Sequence, residues 1–392
     1  MREALRRGPA VTHVERLKLH NFRNYQSLAL DLSPGPVVLS GPNGSGKTNL
    51  LEALSLLAPG QGLRRAPYAE LGNVRGGRDW SVAATVSTAT GRVSIGTGLG
   101  RGAESGGPQG RVVRIDGETR SPSALAELVE LVWLTPAMDG LFTGPASDRR
   151  RFLDRLVVCF DPEHRTRLNR FERAMRQRNR LLDEPRARSG EFDGLELLMA
   201  EAAVAIAAAR VTAVEGLGRR IAARAAADPG SPFPWAEIAL EGRLEQMLAA
   251  SPALEVEDRY QALLAGMRQR DRAAGRTLEG PHLSDLLVGH GPKEMPARLS
   301  STGEQKALLI GLVLAHAELV ADGQGRGPPI LLLDEIAAHL DDRRRAALFA
   351  AILGLGAQAF MTGTDELPFA ALRNRAQFLH VSEGIVSLST GT

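Results

Sequence analysis

The sequence predicts an α/β fold in which a long helical segment interrupts a strand-rich protein. Short apolar runs typical of buried strands occur at 37–40, 330–333 and 359–362, with further strand patterns at 378–381 and 385–388. Between about 121 and 277 the apolar residues instead follow helical spacing, at 124–131, 149–158, 162–182, 191–227 and 254–276. We therefore expect a head domain formed by residues 11–150 and 278–392, carrying a helical arm of residues 151–277.

The N-terminal part of the head is predicted to be rich in β-strands. Residues 14–19 and 27–32 alternate apolar and polar side chains, as half-buried strands do. Further strand patterns lie at 92–95 and 111–115, and the following Asp116-Gly117 pair is typical of a hairpin turn. The stretch from Gly96 to Gly110 holds seven glycines in 15 residues, and we interpret it as a surface loop because no helix follows it.

Composition excludes several classes of protein. Of the 392 residues, 43% are hydrophobic and 24% are charged, which is a globular balance, and the net charge is only +3. The single cysteine, Cys159, excludes a disulfide framework within the chain, and its apolar neighbours predict a packed core position. No apolar run reaches the roughly 18 residues that a membrane span needs, and the first ten residues do not resemble a secretion signal. We expect a cytoplasmic protein with no membrane partner.

A phosphate-binding loop is the strongest local motif. Residues 41–48 match G-x-x-x-x-G-K-[ST] between a predicted buried strand and a helix predicted at 48–57. The glycines let the backbone point its N–H groups at phosphate oxygens, Lys47 reaches the outer phosphates and the Thr48 hydroxyl binds Mg²⁺. The alternative is a chance glycine-rich turn. The predicted nucleotide-binding residues are Gly41, Pro42, Asn43, Gly44, Ser45, Gly46, Lys47 and Thr48.

An acidic pair ends the strand predicted at 330–333. Asp334 is placed to hold Mg²⁺ together with Thr48, and Glu335 to orient or deprotonate an attacking water. By itself, an acid after an apolar run could equally be a strand meeting a helix cap. Paired with the loop at 41–48, it predicts a nucleotide hydrolase.

A serine-led helix start at 299–306 indicates which kind of hydrolase this is. Ser301-x-Gly303-x-Gln305 resembles the signature motif of ATP-binding-cassette (ABC) ATPases, in which a helix N-terminus grips phosphate. The competing interpretation is a simple capping box from Ser301 to Glu304. The two interpretations are compatible, because a cap and a phosphate grip use the same end of the helix.

Four segments resemble the RecF family, which belongs to the SMC-like branch of the ABC ATPases. They lie at 14–25, 144–154, 280–285 and 331–348, in the family's order. Two details depart from the pattern: the proline of the second segment stands one place early, and Leu283 replaces an arginine in the third. The resemblance implies an α/β, ABC-type (P-loop) ATPase head with a β-rich subdomain and an inserted helical arm (lobe II).

The same resemblance implies an ATP- and Mg²⁺-dependent homodimer. Lys47, Thr48, Asp334 and Glu335 would act from one subunit, and Ser301 and Asp341 from the other. The family also implies binding to duplex and gapped DNA, with RecO and RecR as partners in loading RecA. Because no glutamine occurs at 134–144 and no histidine at 360–365, Thr362 or Thr364 would sit near the γ-phosphate, and we expect slow, DNA-stimulated turnover.

Arginines suggest where DNA binds. Residues 148–180 contain eleven arginines and five acids. Arg173, Arg176 and Arg180 share one predicted helix face, and arginine makes bidentate contacts to phosphate without reading base sequence. The alternative is a solvated face with pairs such as Glu172–Arg176.

Three other functions fit the sequence less well. An ABC transporter ATPase subunit would supply the glutamine and histidine that are missing here. A structural SMC-type bridge would need hundreds of heptad residues. A nuclease would need a second cluster of acids beyond the proposed ATP site.

Overall fold

The computed structural model describes residues 11–73, 76, 79–99, 110–184, 188–323 and 327–389. The chain forms two compact units. The first comprises the chain up to Asp139, Gly230–Phe233 and the chain from Leu309 onward; the second comprises Gly140–Pro229 and Pro234–Leu308. These divisions lie at 139/140 and 308/309, whereas the predicted domain boundaries lie at 150/151 and 277/278. The difference arises because residues 285–290 pair with a strand at 236–241 and contact the helix at 146–158, so they cluster with the second unit.

The strands within the described residues are β1 (His13–Phe22), β2 (Tyr25–Asp31), β3 (Val37–Ser40), β4 (Ser81–Thr88), β5 (Gly91–Leu99), β6 (Arg111–Ile115), β7 (Glu118–Arg120), β8 (Leu131–Leu134), β9 (Ala236–Glu241), β10 (Asp285–His290), β11 (Met295–Pro296), β12 (Ile330–Leu333), β13 (Ala359–Gly363), β14 (Gln377–Ser382) and β15 (Ile385–Leu388). The α-helices are α1 (Lys47–Ser55), α2 (Ala146–Val158), α3 (His164–Leu182), α4 (Ser189–Ala227), α5 (Arg243–Ala250), α6 (Ala253–Ala274), α7 (Thr302–Gly323) and α8 (Asp342–Leu355).

The first unit contains two six-stranded sheets. One is antiparallel, in the order β2-β1-β4-β5-β6-β7, and its β6–β7 hairpin turns at Asp116 and Gly117 with φ of 50° and 87°, as predicted. The other has the order β15-β14-β3-β13-β12-β8 and is parallel except for β15. One apolar core joins residues of both sheets and α1, including Leu17, Leu50 and Phe360.

The parallel sheet places the predicted motifs at one edge. β13 lies between β3 and β12, and all three run in the same direction. Their carboxyl ends therefore meet at the same side of the sheet, where parallel α/β sheets bind ligands. The glycine loop follows β3, Asp334 follows β12, and Thr362 lies near the end of β13.

The second unit is helical but includes a small sheet, β11-β10-β9, that the helical spacing did not predict. α3, α4 and α6 pack around a core that includes Phe171, Ile206 and Tyr260. The helix predicted at 124–131 is wrong: a short 3-10 helix, Pro122–Glu127, precedes strand β8. Periodicity cannot separate a short buried strand from a helix, since every residue of β8 is apolar and buried.

The long helix α4 is apolar enough to meet the length and composition test for a membrane span, and it alone does so among the described residues. In its most apolar window, 56% of the residues are buried within the protein, as in the core helix of a globular unit. Cys159, after α2, is buried as predicted.

Candidate functional site

The glycine loop has a backbone that only glycine permits at two of its positions. Gly41 has φ of 144°, and a Cβ there would lie 2.1 Å from the carbonyl oxygen of Val381. Gly46 has φ of 116°, and a Cβ there would lie 2.4 Å from Asn24 Nδ2. α1 begins at Lys47, so its free N–H groups open onto the loop.

Two residues from the β1–β2 hairpin fix the loop. Asn24 Nδ2 donates to the Ser45 carbonyl at 3.0 Å, and the Tyr25 hydroxyl donates to the Gly46 carbonyl at 3.0 Å. Burial raises the pKa of Tyr25, which keeps the hydroxyl protonated as a donor. No sequence motif predicts a role for either residue, although both end the segment at 14–25 that resembles the RecF family.

Lys47 lies inside the curl of the loop. Its Nζ donates to the carbonyl oxygens of Gly41 at 2.6 Å and Pro42 at 2.8 Å. Burial lowers the pKa of Lys47, and the nearby charges of Glu335 and Asp334 oppose that shift. The ammonium group is thus held where the loop backbone and both acids surround it.

The predicted hydroxyl–carboxylate pair is present. Thr48 Oγ1 lies 3.0 Å from both carboxylate oxygens of Asp334. Thr362 Oγ1 donates to Asp334 Oδ1 at 2.8 Å and accepts the backbone N–H of Glu335 at 2.8 Å. The ends of β3, β12 and β13 therefore converge on one hydrogen-bonded cluster.

Thr362 lies at the centre of this cluster. Its side chain is fully buried, and its hydroxyl bridges Asp334 and Glu335. The geometry favours a positioning role, and its predicted contact with nucleotide stays a prediction. Glu335 itself has φ of 51°, a left-handed conformation that costs a non-glycine residue energy, and its bond to Thr362 helps to hold it there.

These residues fit a magnesium ion bound together with nucleotide. The Thr48 hydroxyl and the Asp334 carboxylate present oxygen ligands, the type that Mg²⁺ prefers. Across the described part of the chain, no group of three or more His, Cys, Asp or Glu side chains could hold a metal ion. Proteins usually bind Mg²⁺ through one or two carboxylates, with substrate phosphates and water as further ligands.

Ser301 and Asp341 each begin a helix. Ser301 and Glu304 form the capping box at the start of α7, and Gly303 is exposed on the first turn. Asp341 is the N-cap of α8, where its carboxylate accepts the Arg344 N–H at 2.8 Å. The capping interpretation is thus confirmed, and action across a subunit interface stays a prediction for both residues.

Known proteins identify the family. The family model described as RecF/RecN/SMC N terminal domain matches residues 13–384. The DNA replication and repair protein RecF of Mesorhizobium japonicum is 57% identical over 96% of this chain and 98% of its own length. The chain belongs to the RecF family. RecF of Rhizobium meliloti is 53% identical over 97% of this chain and all of its own length.

Solved structures confirm the predicted fold. The recombination mediator RecF with ATP, of the RecFOR pathway, superposes with a TM-score of 0.83 at 21% identity and covers 98% of this chain and 100% of its own. An Smc head domain with an extended coiled coil from Pyrococcus furiosus gives 0.55 at 16% identity, covering 97% of this chain and 96% of its own. The fold is the α/β ABC-type ATPase head of the RecF and SMC proteins.

The arginines of residues 148–180 separate into two groups. Arg173, Arg176 and Arg180 are exposed on α3. Arg176 pairs with Glu172 at 3.6 Å, and within the described chain the guanidinium groups of Arg173 and Arg180 make no hydrogen bond or ion pair. Several of the others are bound inside the unit, so the local charge excess overstates the positive surface.

Arg178 is the clearest structural arginine. It is fully buried, and its guanidinium donates to Glu196 at 2.9 Å, Asp271 at 2.6 Å and the Leu264 carbonyl at 2.8 Å. It therefore joins α3 to α4 and α6. The spacing of the buried face of α3 could have identified it, since Phe171, Ala174, Arg178 and Leu182 follow helical periodicity.

Two segments that carry the RecF-family resemblance contact each other. Arg149, on α2, pairs with Asp285 at 2.7 Å, and Arg150 donates to the Ser284 carbonyl at 2.6 Å. These bonds fasten residues 144–154 to residues 280–285. The sequence resemblance places the two segments in order along the chain but does not predict their contact.

The buried carboxylate of Asp154 links the same two segments through Arg210. Asp154 accepts from Arg210 Nε at 2.8 Å and lies 2.9 Å from His164 Nε2, while Arg210 donates to the Pro281 carbonyl at 2.6 Å. Burial raises the pKa of Asp154, but Arg210 and His164 together outweigh burial and hold that pKa at about 2. The carboxylate is therefore charged at neutral pH and fixes α2 to α4.

Proposed function

We propose that this protein is an ATP-operated DNA-binding homodimer of recombinational repair and replication-fork maintenance. The observation that carries the proposal is the cluster in which Thr48 and Thr362 both bond Asp334, with Glu335 held beside them. This cluster combines a phosphate-binding loop, a magnesium-binding pair and an acid for water activation. The names of the relatives, which are DNA replication and repair proteins, and the ATP complex of a RecF mediator support the same function.

The residues of one subunit would bind and activate ATP. Backbone N–H groups of the loop and Lys47 would hold the β- and γ-phosphates, and Thr48 with Asp334 would hold Mg²⁺. A bound magnesium ion neutralises phosphate charge during hydrolysis. Glu335 would accept a hydrogen bond from the attacking water, and its backbone is already oriented by Thr362.

A second copy would complete the site. Ser301 and Gly303 at the exposed tip of α7, and Asp341 at the tip of α8, would contact the γ-phosphate side of the partner's ATP. ATP would therefore close the dimer and hydrolysis would reopen it. Slow turnover suits such a switch.

DNA would bind the exposed face of α3. Arg173, Arg176 and Arg180 would contact the backbone of duplex or gapped DNA, in a cytoplasmic pathway that loads RecA together with RecO and RecR. Reversing the three charges should weaken duplex binding and reduce the slope of log K against log salt by about 0.9 per lost phosphate contact. Reversal of the exposed Arg16, Arg92 and Arg120 changes net charge equally and is the matched control. An unchanged slope would reject this site.

Size-exclusion chromatography with light scattering tests the ATP switch. Glu335→Gln should bind ATP, hydrolyse it slowly and accumulate as a dimer on ATP, whereas Lys47→Met with ATP, and either variant with ADP, should remain monomeric. A Glu335→Gln variant that stays monomeric with ATP, with and without DNA, would overturn the proposal. Stimulation of wild-type ATPase activity by duplex DNA would separate this function from that of a transporter subunit.

A further inference from the structure

The hydroxyl of Ser301 is already engaged within its own chain. Its Oγ donates to Glu304 Oε2 at 3.0 Å, and the Ser301 backbone N–H donates to the same oxygen at 3.1 Å. The Glu304 N–H approaches Ser301 Oγ at 3.4 Å. Ser300, the preceding residue, is buried, whereas Ser301 is exposed at this helix tip.

Glu304 is held from its other side by a lysine. Lys293 Nζ lies 2.6 Å from Glu304 Oε1, so the carboxylate uses one oxygen for Lys293 and the other for Ser301. The bond from Lys293, followed by that from the Ser301 backbone, lowers the pKa of Glu304 to about 2. The group at the tip of α7 is therefore a charged carboxylate with an ammonium partner.

A hydroxyl has one proton to donate. For Ser301 to donate to a phosphate oxygen, its proton must leave Glu304, and the phosphate must approach the carboxylate to within a few ångströms. Two negative groups at that separation repel each other, even where water screens them. Lys293 reduces this repulsion because its positive ammonium group pairs with the same carboxylate.

We propose that Glu304 is a latch on Ser301, which holds the serine hydroxyl until ATP arrives and limits the affinity of ATP-dependent dimerisation, with Lys293 moderating its charge. The inference rests on the proposed function, in which Ser301 grips the partner's ATP. It makes Glu304 and Lys293 positioning residues, which tune the switch without touching the reacting atoms.

The latch and a simple helix cap predict opposite results for Glu304→Gln. Glutamine keeps the capping acceptor but removes a charge that stabilises the helix N-terminus. A cap alone therefore predicts slightly lower thermal stability with unchanged or weaker dimerisation. The latch predicts slightly lower thermal stability with tighter dimerisation, because each dimer would lose the repulsion at two sites.

Analytical ultracentrifugation tests this in a Glu335→Gln parent, with ATP or ADP and with thermal unfolding of every variant. Glu304→Gln should lower the ATP-dependent dimer Kd about tenfold, and Lys293→Met should raise it about threefold, with no effect of either in ADP. Glu294→Gln, an exposed neighbour of Lys293, is the matched charge control and should leave the Kd unchanged.

The latch would be overturned if the parent dimerises on ATP and the dimer Kd of Glu304→Gln is equal to or higher than that of the parent. That result would leave the ATP switch intact. A parent that does not dimerise on ATP would overturn the proposed function, and the latch with it. The two failures are therefore distinguishable from one set of samples.

Discussion

The glycine loop was predicted to bind nucleotide, and the arginine-rich helix α3 was predicted to bind DNA. The structure brings the predicted residues of the first site together, but it divides the arginines of α3 between surface and interior. At the loop, residues far apart in sequence converge. Thr48 Oγ1 lies 3.0 Å from Asp334 Oδ1, although the two residues are 286 positions apart in the chain. On α3, residues close in sequence diverge, because Arg173, Arg176 and Arg180 are exposed while Arg178 is fully buried against Glu196 and Asp271.

The contrast follows from what each motif specifies. The loop motif fixes backbone geometry, strand position and residue type together, and few folds satisfy all three. A count of arginines specifies only charge, and a guanidinium serves a buried carboxylate as well as a phosphate. Local charge therefore predicts a binding surface only after the buried pairs have been subtracted.

The largest expected effect separates the two kinds of arginine on α3. Arg178→Ala should lower the free energy of unfolding by about 3–5 kcal/mol, because it leaves Asp271 buried without its countercharge and leaves Glu196 with Arg268 alone. Arg173→Ala, on the exposed face, is the control and should change it by less than about 0.5 kcal/mol. Urea unfolding followed by circular dichroism measures the free energy of unfolding of both variants. Equal losses of stability would contradict the distinction between a buried structural arginine and an exposed one.

Thr362→Val tests whether the cluster at the sheet edge depends on a hydroxyl. Valine keeps the shape, but it leaves the Glu335 N–H without its acceptor and Asp334 with Thr48 as the remaining hydroxyl partner, so we expect a loss of about 1–3 kcal/mol in stability. ATPase activity should fall by at least tenfold, since Glu335 would lose its anchor. Thr119→Val, at an exposed position on β7, is the matched control. Wild-type turnover in Thr362→Val would refute the positioning role.

The smallest effect concerns acid stability and the contact between the two family segments. The pKa of Asp154 is about 2 in the folded protein, below its usual value of 3.8, so its contribution to stability is present above pH 4 and is lost as pH falls toward 2. That contribution is on the order of 2 kcal/mol. Asp154→Asn should therefore be destabilised at pH 7 and show a shallower loss between pH 4 and 2.

Glu172→Gln, on the surface of α3, is the control for that titration. Its stability curve should follow that of the wild type through the acid limb. If Asp154→Asn retained the full wild-type acid dependence, the buried carboxylate would not be its source.

Much of the head was predictable because its elements are local. Val37–Ser40, Ile330–Leu333 and Ile385–Leu388 are strands with the predicted bounds. β8 and β9 were missed because each is short and takes its stability from neighbours distant in sequence, β8 from β12 and β9 from β10. At the site, Asn24 and Tyr25 were missed for a similar reason: they contact the loop through the fold, and no spacing rule connects them to it.

The sequence by itself determined the type of each functional group, since a glycine-rich turn, an acid after a buried strand and a serine before a helix are properties of short segments. Only the tertiary structure decided which groups share a hydrogen bond, because those distances depend on strand order. β13 lies between β3 and β12, and for that reason Thr362 became the bridge between Asp334 and Glu335. The same dependence on packing decided which arginines of α3 face water and which hold the helix in place.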